Sequence, residues 1–345
     1  MIAVDYALNE FGVELTLRDS YALRYFDGFF NRATTGAAAV GLPPITVEGP
    51  TPVGSWPDWR AEVARQQVSP VLETALTCFA KRDKGYLVWC ESAERYYALT
   101  GARRFLRDLW LAERVCRSPV AFLHAASVEL DGRVVIFVGD KRAGKTSLLL
   151  DAVLKHGWRV VSNDCLVLYY DHAELHATGL PTYVGIRADV AERYDALLRS
   201  RVIGDEPNLD SYQRWRSAKR GFPDARLYLS MGALSSPSLA TVCLNRAEIT
   251  VAAVQFGAPG EAVGLSTLAT DPGPFLRQNQ KYTALDQLPH VYPVPQQPLS
   301  CQHPLLSDFA SRAQFIRYRH RGGATELLDL VAAGTGHMSP PSQDT

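Results

Sequence analysis

Val134-Val135-Ile136-Phe137-Val138, followed by Gly139-Asp140-Lys141-Arg142-Ala143-Gly144-Lys145-Thr146, decides how this chain is read. The apolar run predicts a buried strand. The eight residues after it form a G-x-x-x-x-G-K-T loop, and Leu148, Leu149, Leu150, Val153 and Leu154 predict a helix beginning near Thr146. Strand, glycine loop and helix make a phosphate cradle. Backbone N–H groups converge on an anion, and the helix N-terminus adds its dipole. In this reading Lys145 reaches the β- and γ-phosphates of a nucleoside triphosphate, and the Thr146 hydroxyl ligates Mg²⁺. Gly139, Asp140, Lys141, Arg142, Ala143, Gly144, Lys145, Thr146 and Ser147 make up the nucleotide-binding set.

Working outward, Val120 to Leu130 reads as one apolar strand, and Asp131-Gly132 as the hairpin turn into the strand before the loop. Downstream, Gly157 is placed to cap the helix. Arg159-Val160-Val161 returns as a strand, Ser162-Asn163-Asp164 interrupts it, and Cys165 to Tyr170 continues extended. Residues 188–201 read as helical and 203–226, rich in both charges, as a long loop or lid. Thr241 to Leu244, Ile249 to Ala252 and Phe315 to Tyr318 read as strands, Ala324 to Ala333 as a final helix, and the proline-rich 289–304 as irregular.

Towards the N-terminus the signals are shorter. Val13 to Leu17 is strand-like, Gly41 to Trp56 reads as a loop, and Trp59 to Val68 has helical spacing. Tyr86 to Trp89 and Tyr96 to Leu99 look like a strand pair, and Phe105, Leu109, Leu111 and Val115 mark an amphipathic helix. The expectation is an α/β chain in which a small α/β accessory domain (1–115) precedes the loop-bearing domain (116–333). Residues 334–345, polar and rich in proline and serine, read as a disordered tail.

Bulk properties restrict function. Of 345 residues, 36 are Lys or Arg and 36 are Asp or Glu, so no net charge favours nucleic acid or an anionic membrane. No run of apolar residues is long enough for a transmembrane helix. Asp5, Glu10 and Glu14 do not suit a signal peptide. Six scattered cysteines without a C-x-x-C pair read as reduced thiols, and the expected location is the cytoplasm. His172 and His176 sit four apart around Glu174, which is not the H-E-x-x-H arrangement, so no metal site is read there.

The set His124, Gly139-Asp140, Gly144-Lys145-Thr146, Gly157 and Asn163-Asp164 resembles HPr kinase/phosphorylase. It is closer still to the shorter HPr-kinase-like proteins of peptide natural-product clusters. The likeness covers about residues 120–190. It implies a P-loop domain of the HPr-kinase/PEP-carboxykinase-like type with a mixed sheet, using ATP and Mg²⁺. In that family a His lies before the loop hairpin and an Asp-Asp pair follows the helix. By resemblance Lys145, Asp164, His124 and Asn163 form the catalytic set, with Thr146 and Asp164 on the metal. This chain departs from the pattern at Lys141 and Arg142, where the family has small residues, and at Asn163, where the family has its general base. An amide cannot accept a proton at neutral pH.

Two functions follow. The first is a Mg-ATP-dependent kinase that moves the γ-phosphate to a hydroxyl of a peptide or small protein, a small molecule being a close variant. The alternative is a nucleotide-binding pseudokinase or adaptor in which Asn163 marks lost chemistry. Phosphoryl transfer rests mainly on positioning and electrostatics, and general-base help contributes about 10²–10⁴-fold, so Asn163 bears on rate more than on binding. Arg214, Arg216, Lys219 and Arg220 read as a charged surface loop. The sequence sets neither the acceptor nor the oligomeric state, a homo-oligomer included.

Overall fold

The computed structural model describes residues 1–8, 11–33, 40–48, 64–68, 75–82, 85–91, 99–222, 225–237, 240–257, 264–267, 276 and 303–333. The chain opens with β1 (Ile2–Leu8) and β2 (Phe11–Leu17), an antiparallel pair whose alternation buries Tyr6, Leu8, Phe11, Val13, Leu15 and Leu17. Asp19 starts α1 (Ser20–Asp27) by accepting the N–H of Ala22 at 2.9 Å. The strands β3 (Asn31–Arg32), β4 (Val40–Gly41), β5 (Ile45–Glu48), β6 (Ala64–Val68), β7 (Ala75–Arg82) and β8 (Gly85–Glu91) complete the sheet. Its order is β3-β1-β2-β5-β8-β7-β6, with β4 on β2.

Three expectations change here. The stretch from Gly41 to Trp56 holds β5, which lies between β2 and β8. The helix expected over Trp59 to Val68 is replaced at residues 64–68 by β6, an outer strand whose sequence Ala-Arg-Gln-Gln-Val has too few apolar residues to show a strand period. The strand Tyr86 to Trp89 pairs with β5 and β7 rather than with residues 96–99. Residues 49–63 and 92–98 otherwise lie outside the described residues. Leu99 precedes α2 (Thr100–Arg117), the amphipathic helix that its apolar spacing predicts.

From Val120 the described residues build three further sheets, the smallest an antiparallel pair of the strands Val184–Ile186 and Leu227–Leu229. The strands β9 (Val120–Leu123), β10 (Ala125–Leu130) and β11 (Arg133–Val138) come first; the β10–β11 hairpin turns at Asp131 (φ 50°) and Gly132 (φ 79°). The helix α3 (Lys145–His156) follows the glycine loop and ends at Gly157, in the left-handed conformation at φ 71°. Then come β12 (Arg159–Ser162), β13 (Leu166–Asp171), β14 (Glu174–Gly179) and β15 (Val184–Ile186). The region expected to be one helix over 188–201 is two, α4 (Ala188–Arg193) and α5 (Asp195–Val202). The region expected to be a loop over 203–226 contains α6 (Glu206–Ala218). Its inner face carries Asn208, Ser211, Tyr212 and Trp215, and its polar members are hydrogen-bonded internally: Asn208 Nδ2 donates to Asp205 at 2.7 Å and to Ser230 at 2.9 Å. Its apolar contacts are limited to Leu209, Tyr212 and Trp215 among polar neighbours, so the helix leaves only a weak hydrophobic period in the sequence. Arg216 pairs with Asp195 and Lys219 with Glu192, each at 2.8 Å, which ties this basic segment to α4 and α5.

The remaining elements are β16 (Leu227–Leu229), α7 (Met231–Leu234), β17 (Thr241–Cys243), β18 (Glu248–Phe256), β19 (Gly264–Thr267), α8 (His303–Arg312), β20 (Ala313–His320) and α9 (Thr325–Ala332). The expected tail at 334–345 and most of the proline-rich 289–304 lie outside the described residues.

The sheets stack in layers. A six-stranded mixed sheet has the order β12-β10-β11-β18-β20-β19, with β11, β18 and β20 mutually parallel. A four-stranded sheet has the order β17-β14-β13-β9. Between these two sheets lie Leu123, Val134, Ile136, Val138, Leu166, Leu168 and Val251. The alternate residues Val135, Phe137, Ala252 and Val254 face α3. The outer face of the four-stranded sheet, with Phe122, Val167 and Tyr169, shares one core with β1, β2, α1 and α2. The molecule is α/β with mixed sheets. Among the described residues no helix is long and apolar enough to cross a membrane.

Candidate functional site

The run from Val120 to Leu130 is not one strand. It breaks at His124: β9 belongs to the four-stranded sheet and β10 to the six-stranded one. The run from Arg159 to Asp171 breaks in the same way at Asn163-Asp164-Cys165, with β12 in one sheet and β13 in the other. Since β12 pairs with β10 and β13 with β9, both chains change sheets at one corner. A register shift after Ser127 accommodates the turn, and the buried hydroxyls of Ser127 and Ser162 hold it, 2.9 Å apart. At Gly179 a Cβ would lie 2.4 Å from the Val161 carbonyl oxygen, so only glycine lets β14 approach so closely.

This corner brings His124 and Asp164 together. His124 Nε2 lies 3.0 Å from Asp164 Oδ1, and both side chains keep substantial solvent access. Asp164 sits at φ 70°, a left-handed conformation that aspartate tolerates better than most residues. Asn163 beside it is buried.

The glycine loop occupies the same sheet edge. Ala125 pairs with Val138, so His124 and Gly139 are the next residues beyond the β10–β11 ladder. The edge is also the carboxyl end of parallel β11, β18 and β20, where α/β sheets bind ligands. Lys145 folds over the loop, its Nζ donating to the carbonyls of Gly139 (2.6 Å) and Asp140 (3.1 Å). Lys141 and Arg142 are exposed at the tip, Thr146 is half-buried and Ser147 is buried. Gly144, at φ 93°, caps α3 with no side chain of its own, so no side-chain cap competes for the first helical N–H groups.

One participant has no sequence signal. His320, the last residue of β20, is fully buried beneath the loop. Its Nδ1 accepts the N–H of Gly322 at 2.9 Å, which fixes the proton on Nε2, and Nε2 donates to the Ala143 carbonyl at 2.7 Å. Burial pushes this imidazole below its ordinary pKa, the bond to Ala143 opposing only in part. A histidine 176 residues beyond Gly144, two positions past the run Phe315 to Tyr318 read as a strand, gives no local clue to this role.

Beside the loop lies a cavity of about 900 Å³ whose walls include Lys141, Arg142, Gln255, Phe256, Arg317 and Arg319. Its charge is predominantly positive, and half-exposed Phe256 offers an aromatic edge. No family model matches the chain, and no curated protein matches it.

Proposed function

We propose that the chain is a Mg-ATP-dependent phosphotransferase acting on a hydroxyl of a peptide or small protein, with the 139–146 segment as its P-loop. The observation that carries this reading is the meeting of a glycine-dependent loop, an uncapped helix N-terminus and Lys145 at the carboxyl edge of three parallel strands, beside the His124–Asp164 pair. The cradle suits polyphosphate. A Cβ at Gly139 would lie 2.6 Å from the Val254 carbonyl, and one at Gly144 would lie 2.3 Å from the His320 ring, so both glycines are required by the space. Lys145 already ties down two loop carbonyls and has only to swing from them to phosphate oxygens. A cavity of this size fits a nucleotide-sized ligand, and its cations suit the charge.

Thr146 and Asp164 are hard oxygen donors of the kind Mg²⁺ takes. Held by these two residues, the ion would supply positive charge to offset that of the phosphates. Asp164 would hold the metal while its Oδ1 orients His124. An ionised carboxylate only accepts, so His124 presents Nε2–H to Asp164 and keeps Nδ1 as a base for the acceptor hydroxyl. His124 thereby supplies what Asn163 cannot. Fold likeness to HPr-kinase-like proteins remains part of this proposal, resting on the motif set named above.

The buried amide of Asn163 favours a second reading, a nucleotide-binding adaptor without turnover. Calorimetric titration of Mg-ATP into wild type and Lys145→Ala tests the first reading. We expect magnesium-dependent binding that weakens at least about tenfold in the variant, in line with loss of one charge-assisted contact. A well-folded wild type that binds no nucleotide would sink it. Measuring ATP turnover in wild type, His124→Ala and Asn163→Asp separates the readings. A kinase loses turnover in His124→Ala, whereas an adaptor has none to lose and can gain it only in Asn163→Asp.

A further inference from the structure

Away from the loop, the hairpin β13–β14 and the edge strand β17 bring together three side chains of different chemistry. Glu174 and His176 are two apart on β14 and therefore share one face. Cys243 stands directly opposite His176 across the β14–β17 ladder. One ligand atom from each of the three lies within 4.8 Å of the others, and all three residues are half-buried. A site on β14 near His176 is about 10 Å along the strand from the Gly179 corner, so it is separate from the candidate phosphate site.

We propose that Glu174, His176 and Cys243 bind a zinc-class divalent ion as a clip joining β14 to β17. Thiolate, imidazole and carboxylate form a donor set suited to Zn²⁺ and poorly suited to Mg²⁺ or Ca²⁺. Tetrahedral coordination at zinc bond lengths needs donor atoms roughly 3.3–3.6 Å apart. His176 Nε2 and Glu174 Oε2 are already 4.0 Å apart, so closing them takes a small side-chain rotation. The His176 ring is stacked on Tyr169 at 5.6 Å, and its Nδ1 is buried without a hydrogen-bond partner. Nε2 is thus the nitrogen turned to the cluster. Burial depresses the His176 pKa, with the surrounding carboxylates Asp171 and Glu174 opposing and Arg114 and Arg246 assisting. The neutral ring that a metal requires is therefore favoured. The Cys243 thiol hydrogen-bonds to Glu174. On metal binding that proton leaves to solvent and the thiolate takes its place on the ion. Arg246 holds the Glu174 carboxylate at 2.8 Å and competes with the ion for it.

Chelator-treated full-length protein titrated with Co²⁺, then displaced with Zn²⁺, tests the site independently of any nucleotide reading. Wild type should develop a thiolate-to-cobalt charge-transfer band together with the intense visible bands of tetrahedral cobalt, all lost on adding Zn²⁺. The charge-transfer band should vanish in Cys243→Ser and persist in Cys116→Ser. Affinity should fall at least about tenfold in His176→Ala. Arg246→Ala, which frees Glu174 without touching a donor, should bind about two- to fivefold tighter. Circular dichroism confirms that each variant is folded. No band in wild type, a band that survives Cys243→Ser, or no tightening in Arg246→Ala would overturn the proposal.

Discussion

A methyl group at Gly144 would sit 2.3 Å from Cε1 of His320, on a backbone held at φ 93°. Both facts oppose any side chain. The left-handed conformation costs an L-residue roughly 1–2 kcal/mol, and forcing atoms into a filled space costs about 1–3 kcal/mol more. Gly144→Ala is therefore expected to destabilise the chain by about 2–4 kcal/mol in urea unfolding, within the sum of those two costs. It should also displace the His320 ring from Ala143 and abolish nucleotide binding in the titration described above. A variant that unfolds and binds like wild type would show that the ring does not set the loop. Arg142, at φ 74°, and Asp164, at φ 70°, are further strained positions of the site, and at Asp164 the side chain itself bears the proposed function.

At the scale of elements, α3 is fixed through Asp151, which is fully buried. The Tyr194 hydroxyl from the end of α4 and the Ala324 N–H at the start of α9 donate to its two oxygens, each at 2.8 Å, and Lys155 lies 2.7 Å away. Burial would push this carboxyl up, but those partners together outweigh it and hold the group below the ordinary carboxylate range. Asp151→Ala leaves a buried N–H and a buried hydroxyl without acceptors. It should cost roughly 2–4 kcal/mol in denaturant unfolding. Asp151→Asn retains an acceptor and should cost clearly less. Equal losses for the two variants would mean that α3 is placed by its leucines alone.

For the whole molecule, acid should act first through imidazoles. His320 and His176 are both depressed by burial, so the unfolded chain binds protons more readily just below the ordinary imidazole value of 6.5. Stability is full above that value and falls as pH drops below it. Asp151, with its depressed carboxyl, adds a second loss only well below, under the ordinary carboxylate value of 3.8. Asp205, raised by burial, works the other way in the window just above 3.8 and softens that second loss. Melting temperature is expected to fall by several degrees between pH 7.5 and 5.5, and His320→Gln should flatten the dependence. A flat profile in wild type would mean that neither ring is protonated less easily in the fold than in the unfolded chain.

Local signals determined what is local. The apolar run to Val138, the Asp131-Gly132 turn, the helix after the loop and its Gly157 cap are all present as read, because each depends on residues a few positions apart. The sequence also named His124, Lys145 and Asp164 as candidates. What it could not contain is the sheet change. An apolar residue between two layers looks the same whichever sheet it joins, so Val120 to Leu130 read as one strand although His124 stands at a corner. The helix α6 was hidden because Asn208 and Ser211 satisfy their polarity internally, a fact of packing and not of period. His320 under the loop and Cys243 opposite His176 are likewise products of parallel and antiparallel registers between distant segments. Periodicity fixes which face of a strand is buried; only tertiary pairing fixes which strand, and so which side chains, it meets there.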